Sequence, residues 1–421
     1  MKFTEIIEIK KRRKKLSEKQ INFFVNGAVN KTIPEYQTSA LLMAIWFNGL
    51  SDDELYYFTK AMIASGETIK LKKNYKKVLI DKHSTGGIGD KVTIALAPIL
   101  ACFNLGVGKL SGRGLGFTGG TIDKLEAIGV KTDLSVDAAV KVLKETDMFV
   151  ISQSPNIVPA DKLFYSLRDV TGTVDSLPLI AASILSKKFV VDSDYIFIDI
   201  KYGAGAFCQN IATAKKLGNI MTKLAQKFSR NLRFELSDMN KVLGRTIGNA
   251  IEVKEAVDYL RNQPNVGQDY KDLMANIICN ILVESKTCKT HASAQKQLNQ
   301  VLSSGAAFER FCQWIKAQGG NLKAIKTNTF FSPKYQHVIK ATKSGVVSYP
   351  DVVGLAEIAV DLGAGRRVKE DVIDFQAGIY LHAKDNDSVN KDDPVLTLYS
   401  NNPISKKIIE QTKKLIKLTK K

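Results

Sequence analysis

Two short stretches constrain this chain more than anything else in it. They are Lys82-His83-Ser84-Thr85-Gly86-Gly87-Ile88-Gly89-Asp90 and Ser111-Gly112-Arg113-Gly114-Leu115-Gly116-Phe117-Thr118-Gly119-Gly120-Thr121. Each follows a short apolar run of strand character (78–80 and 107–110) and leads into a helical pattern (92–103 and a segment near Lys124). Glycines let backbone N–H groups approach an anion, and a helix N-terminus adds positive partial charge. Lys82, Ser84, Thr93, Lys109, Ser111 and Thr121 supply the cationic and hydroxyl donors that suit a phosphate. Neither loop has the spacing of a Walker A or of the dinucleotide fingerprint. One such loop reads as an ordinary tight βα turn. Two, both flanked by lysines and hydroxyls, favour phosphate binding.

The surrounding pattern places these loops in a larger plan. Residues 1–66 read as helices, with Ser51-Asp52-Asp53-Glu54 as a capping box opening one of them. From about residue 77 short strands alternate with helices, the pattern of a parallel α/β sheet. Residues 159–188 revert to helix, strands resume at 195–200, and short β runs with turn signals fill 336–405. The fold class expected is α/β. It comprises a split all-helical lobe (1–70 and 160–192), a mixed α/β phosphate-binding lobe with a central sheet (71–159 and 193–335), and a small C-terminal α+β domain (336–421).

Composition narrows the function. The chain has 421 residues and a formal net charge of +19. Residues 1–20 carry +5 and residues 406–421 carry +6, and only 11 of the 61 basic residues are Arg. A reader of phosphates and base edges leans on bidentate Arg, so nucleic acid is not the expected partner. The longest apolar run, 41–47, is far short of the ~20 residues that span a bilayer. No apolar signal-peptide region follows the charged N-terminus. Five scattered cysteines (Cys102, Cys208, Cys279, Cys288 and Cys312) have no C-x-x-C spacing and read as thiols of a reducing cytoplasm.

A further polar cluster lies in the interrupting helical segment. Arg168, Ser183 and Lys187 form one rim if the chain bends near Gly172 and Pro178, and otherwise read as a solvated helix face. His83 stands apart from the other three histidines because it lies inside a phosphate-type loop. No His, Cys, Asp and Glu grouping has metal-ligand spacing, and no G-x-S-x-G or Cys/His pair suggests a covalent nucleophile.

Ser111-Gly112-Arg113-Gly114-Leu115, followed by Thr118-Gly119-Gly120-Thr121-Ile122-Asp123-Lys124-Leu125-Glu126, resembles the signature of the thymidine/pyrimidine-nucleoside phosphorylases. Lys82-His83-Ser84-Thr85-Gly86-Gly87, Leu167-Arg168-Asp169-Val170-Thr171, Ser183-Ile184-Leu185-Ser186-Lys187-Lys188, Gly203-Ala204-Gly205-Ala206-Phe207, Gly248-Asn249-Ala250-Ile251-Glu252-Val253 and Leu362-Gly363-Ala364-Gly365-Arg366 extend the likeness over nearly the whole chain. The resemblance implies a cytoplasmic homodimer that splits a pyrimidine nucleoside with phosphate as co-substrate and without a cofactor, by closure of a helical lobe on an α/β lobe. It implies that Lys82, Ser84, Thr93, Lys109, Ser111 and Thr121 bind phosphate. His83, Arg168, Ser183 and Lys187 would bind the nucleoside, with His83, Arg168 and Lys187 catalytic.

Three positions depart from the family pattern: Phe117 for His, Ser154 for Thr, and Lys91 where potassium-binding members carry Thr. The resemblance implies a potassium site at Gly89, Leu243, Thr246 and Glu255. Lys91 argues against it, because its own ammonium would stand there and pair with Glu255, so no metal is expected. Lys109 resembles members of broad pyrimidine specificity, which extends the expected substrates to uridine. The alternatives are a phosphoribosyltransferase of the anthranilate type, which needs an acidic Mg²⁺ constellation absent beside these loops, and a basic nucleic-acid-binding protein.

Overall fold

The computed structural model describes residues 1–114, 119–367 and 370–420. The chain opens with α1 (Phe3–Lys11), α2 (Glu18–Val29), α3 (Glu35–Asn48) and α4 (Asp52–Ala64). Then come β1 (Leu79–Ser84), α5 (Val92–Cys102), β2 (Gly106–Ser111), α6 (Thr121–Glu126), α7 (Val136–Thr146) and β3 (Met148–Ser152). Two consecutive helices follow, α8 (Pro159–Thr171) and α9 (Leu177–Phe189), before β4 (Tyr195–Tyr202), α10 (Ile211–Lys227), β5 (Asn231–Asp238) and β6 (Thr246–Gly248). Next are α11 (Ala250–Leu260), α12 (Gln268–Glu284), α13 (His291–Ser303), α14 (Ala306–Ala317) and α15 (Leu322–Thr327). The C-terminal part holds β7 (Tyr335–Lys340), β8 (Gly345–Ser348), α16 (Val352–Asp361), β9 (Gly378–Leu381), β10 (Ser388–Val389), β11 (Pro394–Ser400), α17 (Lys406–Lys414) and β12 (Lys417–Thr419).

The chain divides into two compact units. The first holds Met1–Lys76, Gln153–Phe197 and Ala212–Phe234, and the second holds the rest. In the first, Ser17 and Ser51 each accept a hydrogen bond from the backbone three residues on, and Gln20 and Glu54 return one, so α2 and α4 both start with a full capping box. Apolar faces then bring the helices together. Phe24 of α2 lies 5.6 Å from Phe3, 6.0 Å from Phe58 and 5.1 Å from Phe164, ring centre to ring centre. Phe164 belongs to α8, so this aromatic cluster binds the later helical segment to the N-terminal helices, and α9 packs on α4. The helical lobe is therefore built from separated pieces of chain.

The second unit is organised by a five-stranded sheet in the order β3-β2-β1-β4-β5, with β1–β2 and β2–β3 parallel. Helix α5 follows β1, and ten of its eleven residues are buried. A helix apolar on every face has to lie inside, and α5 packs against β2, α11 and α14. The C-terminal domain is α+β. It contains an antiparallel sheet β6-β9-β11-β7 and a smaller one, β10-β8-β12. Its larger sheet takes β6 from the chain just after β5, which welds this domain to the α/β part. No helix among the described residues is long and apolar enough to cross a membrane.

Glu54 does more than cap α4. Its carboxylate accepts from the Lys10 ammonium at 2.8 Å, from the Leu16 backbone at 2.9 Å and from the Ser51 backbone at 2.8 Å, all with the Lys10–Glu54 pair buried. Burial favours its neutral form, but these donors outweigh burial and hold the carboxyl below its ordinary 4.5. Glu54→Gln leaves a buried ammonium unpaired and should cost about 3 kcal/mol in denaturant unfolding at neutral pH. An acid whose folded pKa is lowered stabilises fully above its unfolded value and loses that contribution as pH falls through the folded value. Wild type and variant should therefore converge in stability below pH 4.5, and a gap that persists in acid contradicts this assignment.

Candidate active site

On β1 and β2, Leu79 stands beside Gly106 and Ile80 beside Val107. Continued along both strands, this register sets Lys82 beside Lys109 and Ser84 beside Ser111. Residues two apart on a strand share a face, so each strand ends in a Lys-x-Ser pair and the two pairs lie side by side. Thr93 sits in the first turn of α5 and Thr121 opens α6. All six residues expected to hold phosphate thus belong to the carboxyl ends of adjacent parallel strands or to the helices that follow them. The strand order changes direction between β1 and β4, and open α/β sheets bind ligands at such a switch point.

The structure corrects one expectation. The strand expected to stop at Ile80 runs to Ser84, so Lys82, His83 and Ser84 are strand residues and the loop begins after them. A strand ends where its neighbour stops offering partners, and β4 still offers them: Thr85 N–H donates to Asp199 O at 3.0 Å, and Lys201 N–H donates to Thr85 Oγ1 at 2.9 Å. His83 alternates with Lys82 and Ser84 to the other side of the strand and is partly exposed.

The floor of the site is ionic. Lys82 and Lys201 are both buried, and their ammonium groups lie 3.3 and 2.6 Å from the same oxygen of Asp199. The Ser237 hydroxyl donates to the other Asp199 oxygen. Asp90, on the glycine loop, lies 4.0 Å from the Lys201 ammonium. Burial would raise the Asp90 carboxyl, but Lys201, Lys82 and the Ser84 hydroxyl reverse that and hold it well below the usual carboxylate range. Burial likewise lowers Lys201, and Asp199 with Asp90 more than restores it, so it stays protonated. The Lys109 ammonium donates to Lys82 O at 2.6 Å, tying the two strand ends together. Gly89 has φ +80°, and a Cβ there would meet Leu243 O at 2.5 Å, so only glycine fits where the loop presses on residues 242–246.

The start of the second glycine loop is anchored by acids of α6. Asp123 accepts from the Gly114 backbone at 2.6 Å and from Arg113 and Arg366 at 3.3 Å each. Arg113 also forms a two-pronged pair with Glu126 at 2.6 and 2.8 Å. Leu115, Gly116, Phe117 and Thr118 lie outside the described residues.

The residues expected to hold the nucleoside, His83 apart, belong to the first unit. There α8 stops at Thr171, Gly172 caps it, and α9 begins at Leu177 with Pro178 in its first turn, so the chain bends where expected. Lys187 donates to Ser183 Oγ at 3.1 Å and to Asp161, a partner the sequence did not single out. Arg168 is buried, not solvated. It donates to the carbonyls of Thr173 (3.1 Å), Leu179 (3.3 Å) and Val174, so it fixes the α8–α9 connection. Burial pulls its pKa down from the ordinary arginine value, with Asp161, Tyr165 and Asp175 acting against that.

The region implied for potassium is already filled by a cation. The Lys91 ammonium lies 2.6 Å from Glu255 Oε2, 2.9 Å from Leu243 O and 3.0 Å from Thr246 Oγ1. Among the described residues, no group of three or more His, Cys, Asp and Glu side chains is placed to hold a metal.

Comparison with known proteins decides the family. The helical bundle domain of the glycosyl transferase family matches residues 4–66, its a/b domain matches 76–308, and the pyrimidine nucleoside phosphorylase C-terminal domain matches 346–419. A thymidine phosphorylase of Mycoplasmoides pirum is 62% identical over 419 residues, covering 100% of both chains. The chain belongs to the thymidine/pyrimidine-nucleoside phosphorylase family. Other phosphorylase relatives are a thymidine phosphorylase of Mycoplasma genitalium, 51% identical with 100% of both chains covered, and a pyrimidine-nucleoside phosphorylase of Bacillus subtilis. The latter is 44% identical over 95% of this chain and 92% of its own. The fold reaches beyond the phosphorylase family. An anthranilate phosphoribosyltransferase from Thermus thermophilus matches 74% of this chain and 98% of its own with a TM-score of 0.59 at 14% identity, which shows a shared fold alone.

Within this phosphorylase fold, sequence reasoning passed over Asp199, Lys201 and Asp161. The first two carried a signal: an acid and a base two residues apart in the otherwise apolar strand Tyr195–Tyr202 have to share one face. Asp199→Asn keeps the shape but removes the charge between two buried ammonium groups. It should lower stability by roughly 3–5 kcal/mol in denaturant unfolding. A loss under about 1 kcal/mol would show that the lysines do not depend on it.

Proposed function

We propose that this protein catalyses reversible phosphorolysis of pyrimidine nucleosides, converting thymidine and phosphate to thymine and 2-deoxyribose 1-phosphate, and that it also accepts uridine and deoxyuridine. It is a pentosyltransferase by family. One observation carries the reading above the others: end-to-end likeness to thymidine phosphorylases, in a chain whose parallel strand ends present the paired Lys-x-Ser motifs.

The chemistry follows from charge. Breaking the N-glycosidic bond leaves positive, oxocarbenium-like character on the sugar and sends the bonding electron pair to the pyrimidine ring. A phosphate oxygen forms the new bond to C1′ as the C1′–N1 bond breaks. Lys82, Ser84, Thr93, Lys109, Ser111 and Thr121 hold and orient that phosphate. Lys187 and Arg168 offset the charge growing on the base, and Ser183 hydrogen-bonds its edge. His83 donates to the base carbonyl near the scissile bond, and a positioned acid typically contributes ~10²–10⁴-fold. Phosphate acts as a co-substrate, so the proposal includes no organic cofactor. Exclusion of water from the reacting atoms protects the phosphate route against hydrolysis.

A homodimer is part of this proposal. On the first unit, α3 exposes Tyr36 (74%) and Phe47 (71%), and α8, which packs on α3, exposes Val170 (80%). Large apolar side chains exposed on two helices that pack together favour a second subunit. A cytoplasmic setting fits the five cysteines, all free.

Incubation of thymidine, uridine and deoxyuridine with the protein, with and without phosphate, should release free base only with phosphate. Base release that ignores phosphate contradicts the proposal, as does tight duplex DNA binding with no base release. His83→Ala and Lys187→Ala should each lower turnover by roughly 10²-fold or more. His83→Ala should unfold near the wild-type midpoint, whereas Lys187→Ala also leaves the buried Asp161 carboxylate without its ammonium and should melt lower, by far less than its loss of turnover. Near-normal activity in both variants overturns the site assignment.

A further inference from the structure

Lys91 immediately precedes α5 and is wholly buried, yet its surroundings are those of an ion site more than of a surface pair. An ammonium has three donors, and three oxygens meet this one: a carboxylate oxygen of Glu255, the Leu243 carbonyl and the Thr246 hydroxyl, at 2.6–3.0 Å. The ring of Tyr270 lies 5.2 Å away as a further wall. Glu255 is fixed independently of Lys91. It accepts from the backbones of Arg245 (2.9 Å) and Gly267 (3.1 Å) and from the Thr246 hydroxyl (2.7 Å). A Cβ on Gly244 would lie 2.7 Å from the Glu255 carboxylate and 2.8 Å from the Lys91 nitrogen, so the backbone wraps the ammonium as closely as it can.

Three of the four residues implied for potassium, Leu243, Thr246 and Glu255, therefore spend their oxygens on a cation that belongs to the chain, and a second positive charge beside it would be repelled at close range. The set does not fit an added ion. Neighbouring carbonyls repeat the pattern. Lys384, from the turn after β9, donates to Val242 O and Gly244 O and to Asp269 at 2.9 Å. Three successive carbonyls, 242 to 244, thus point at two lysine ammonium groups. The segment they belong to is the one that Gly89 presses on, and Leu243 N–H donates to Ile88 O of the first glycine loop at 3.1 Å.

We propose that the Lys91 ammonium is a built-in monovalent cation that docks the first glycine loop on residues 242–246, that the protein consequently needs no potassium, and that Lys91→Thr opens a site that binds potassium. Lys91 is a positioning residue. One charge replaces another, and a threonine clears the space of the lysine stem while adding an oxygen. Lys91→Met fills the space without charge and opens no site.

Thermal unfolding of the full-length wild type and both variants, in choline, sodium and potassium chloride at equal ionic strength, tests this whatever reaction the protein catalyses. Turnover is the second readout. Wild type should give the same midpoint and turnover in all three salts. In choline both variants should melt lower by about 5 °C or more. Potassium should raise the Lys91→Thr midpoint and turnover saturably, and leave Lys91→Met unchanged. A wild type that requires potassium overturns the proposal. So does a Lys91→Thr variant that behaves alike in potassium and choline, or that fails to fold in potassium.

Discussion

Asp199 holds two buried ammonium groups, those of Lys82 and Lys201, against one oxygen, and the site depends on that arrangement. A lysine at the end of a buried parallel strand is expensive to desolvate unless its charge is met. Here one carboxylate, itself fixed by Ser237, meets two lysines, and Asp90 of the glycine loop adds a second negative charge close by. The arrangement gathers basic side chains at the strand ends, which is what the proposed phosphate requires. Lys109, bonded to the Lys82 backbone, transmits the same order to the neighbouring strand.

Around this floor ionic contacts hold both loops, and Ile88 of the first is also buried in the apolar core of the C-terminal domain. The first glycine loop rests on a segment gripped by Lys91 and Lys384. The second is held by Asp123, which gathers Gly114, Arg113 and Arg366. Arg366 and Lys384 both come from the C-terminal domain. That domain also shares β6 with the chain following the central sheet, so it braces both loops.

Much of this was legible in the sequence. The change from helical to alternating pattern gave the order of the layers, Ser51 and Glu54 marked a helix start, and the two glycine loops marked the carboxyl ends of β1 and β2. The Lys91–Glu255 pair was legible only through the family likeness, because Lys91 stands where potassium-binding members carry Thr. What stayed hidden depended on long-range pairing. No local pattern tells that β1 runs on through Lys82 to Ser84, since β4 decides it. Asp161 carries no local signal, because its partner Lys187 lies on the next helix. By pattern alone Arg168 read as part of a solvated helix face, and only the family likeness made it a site residue. Burial settled the first point, and its three carbonyl partners reveal a structural task that pattern alone does not carry.

The central claim is that phosphate, oriented at the ends of β1 and β2, ends up bonded to the sugar. Phosphorus-31 NMR of the protein with thymidine and inorganic phosphate follows that atom directly. The account predicts a new sugar 1-phosphate resonance that grows in step with released thymine while the inorganic phosphate signal falls by the same amount. Thymine released with the inorganic phosphate signal unchanged would mean that water, not phosphate, attacks the sugar, and would contradict it.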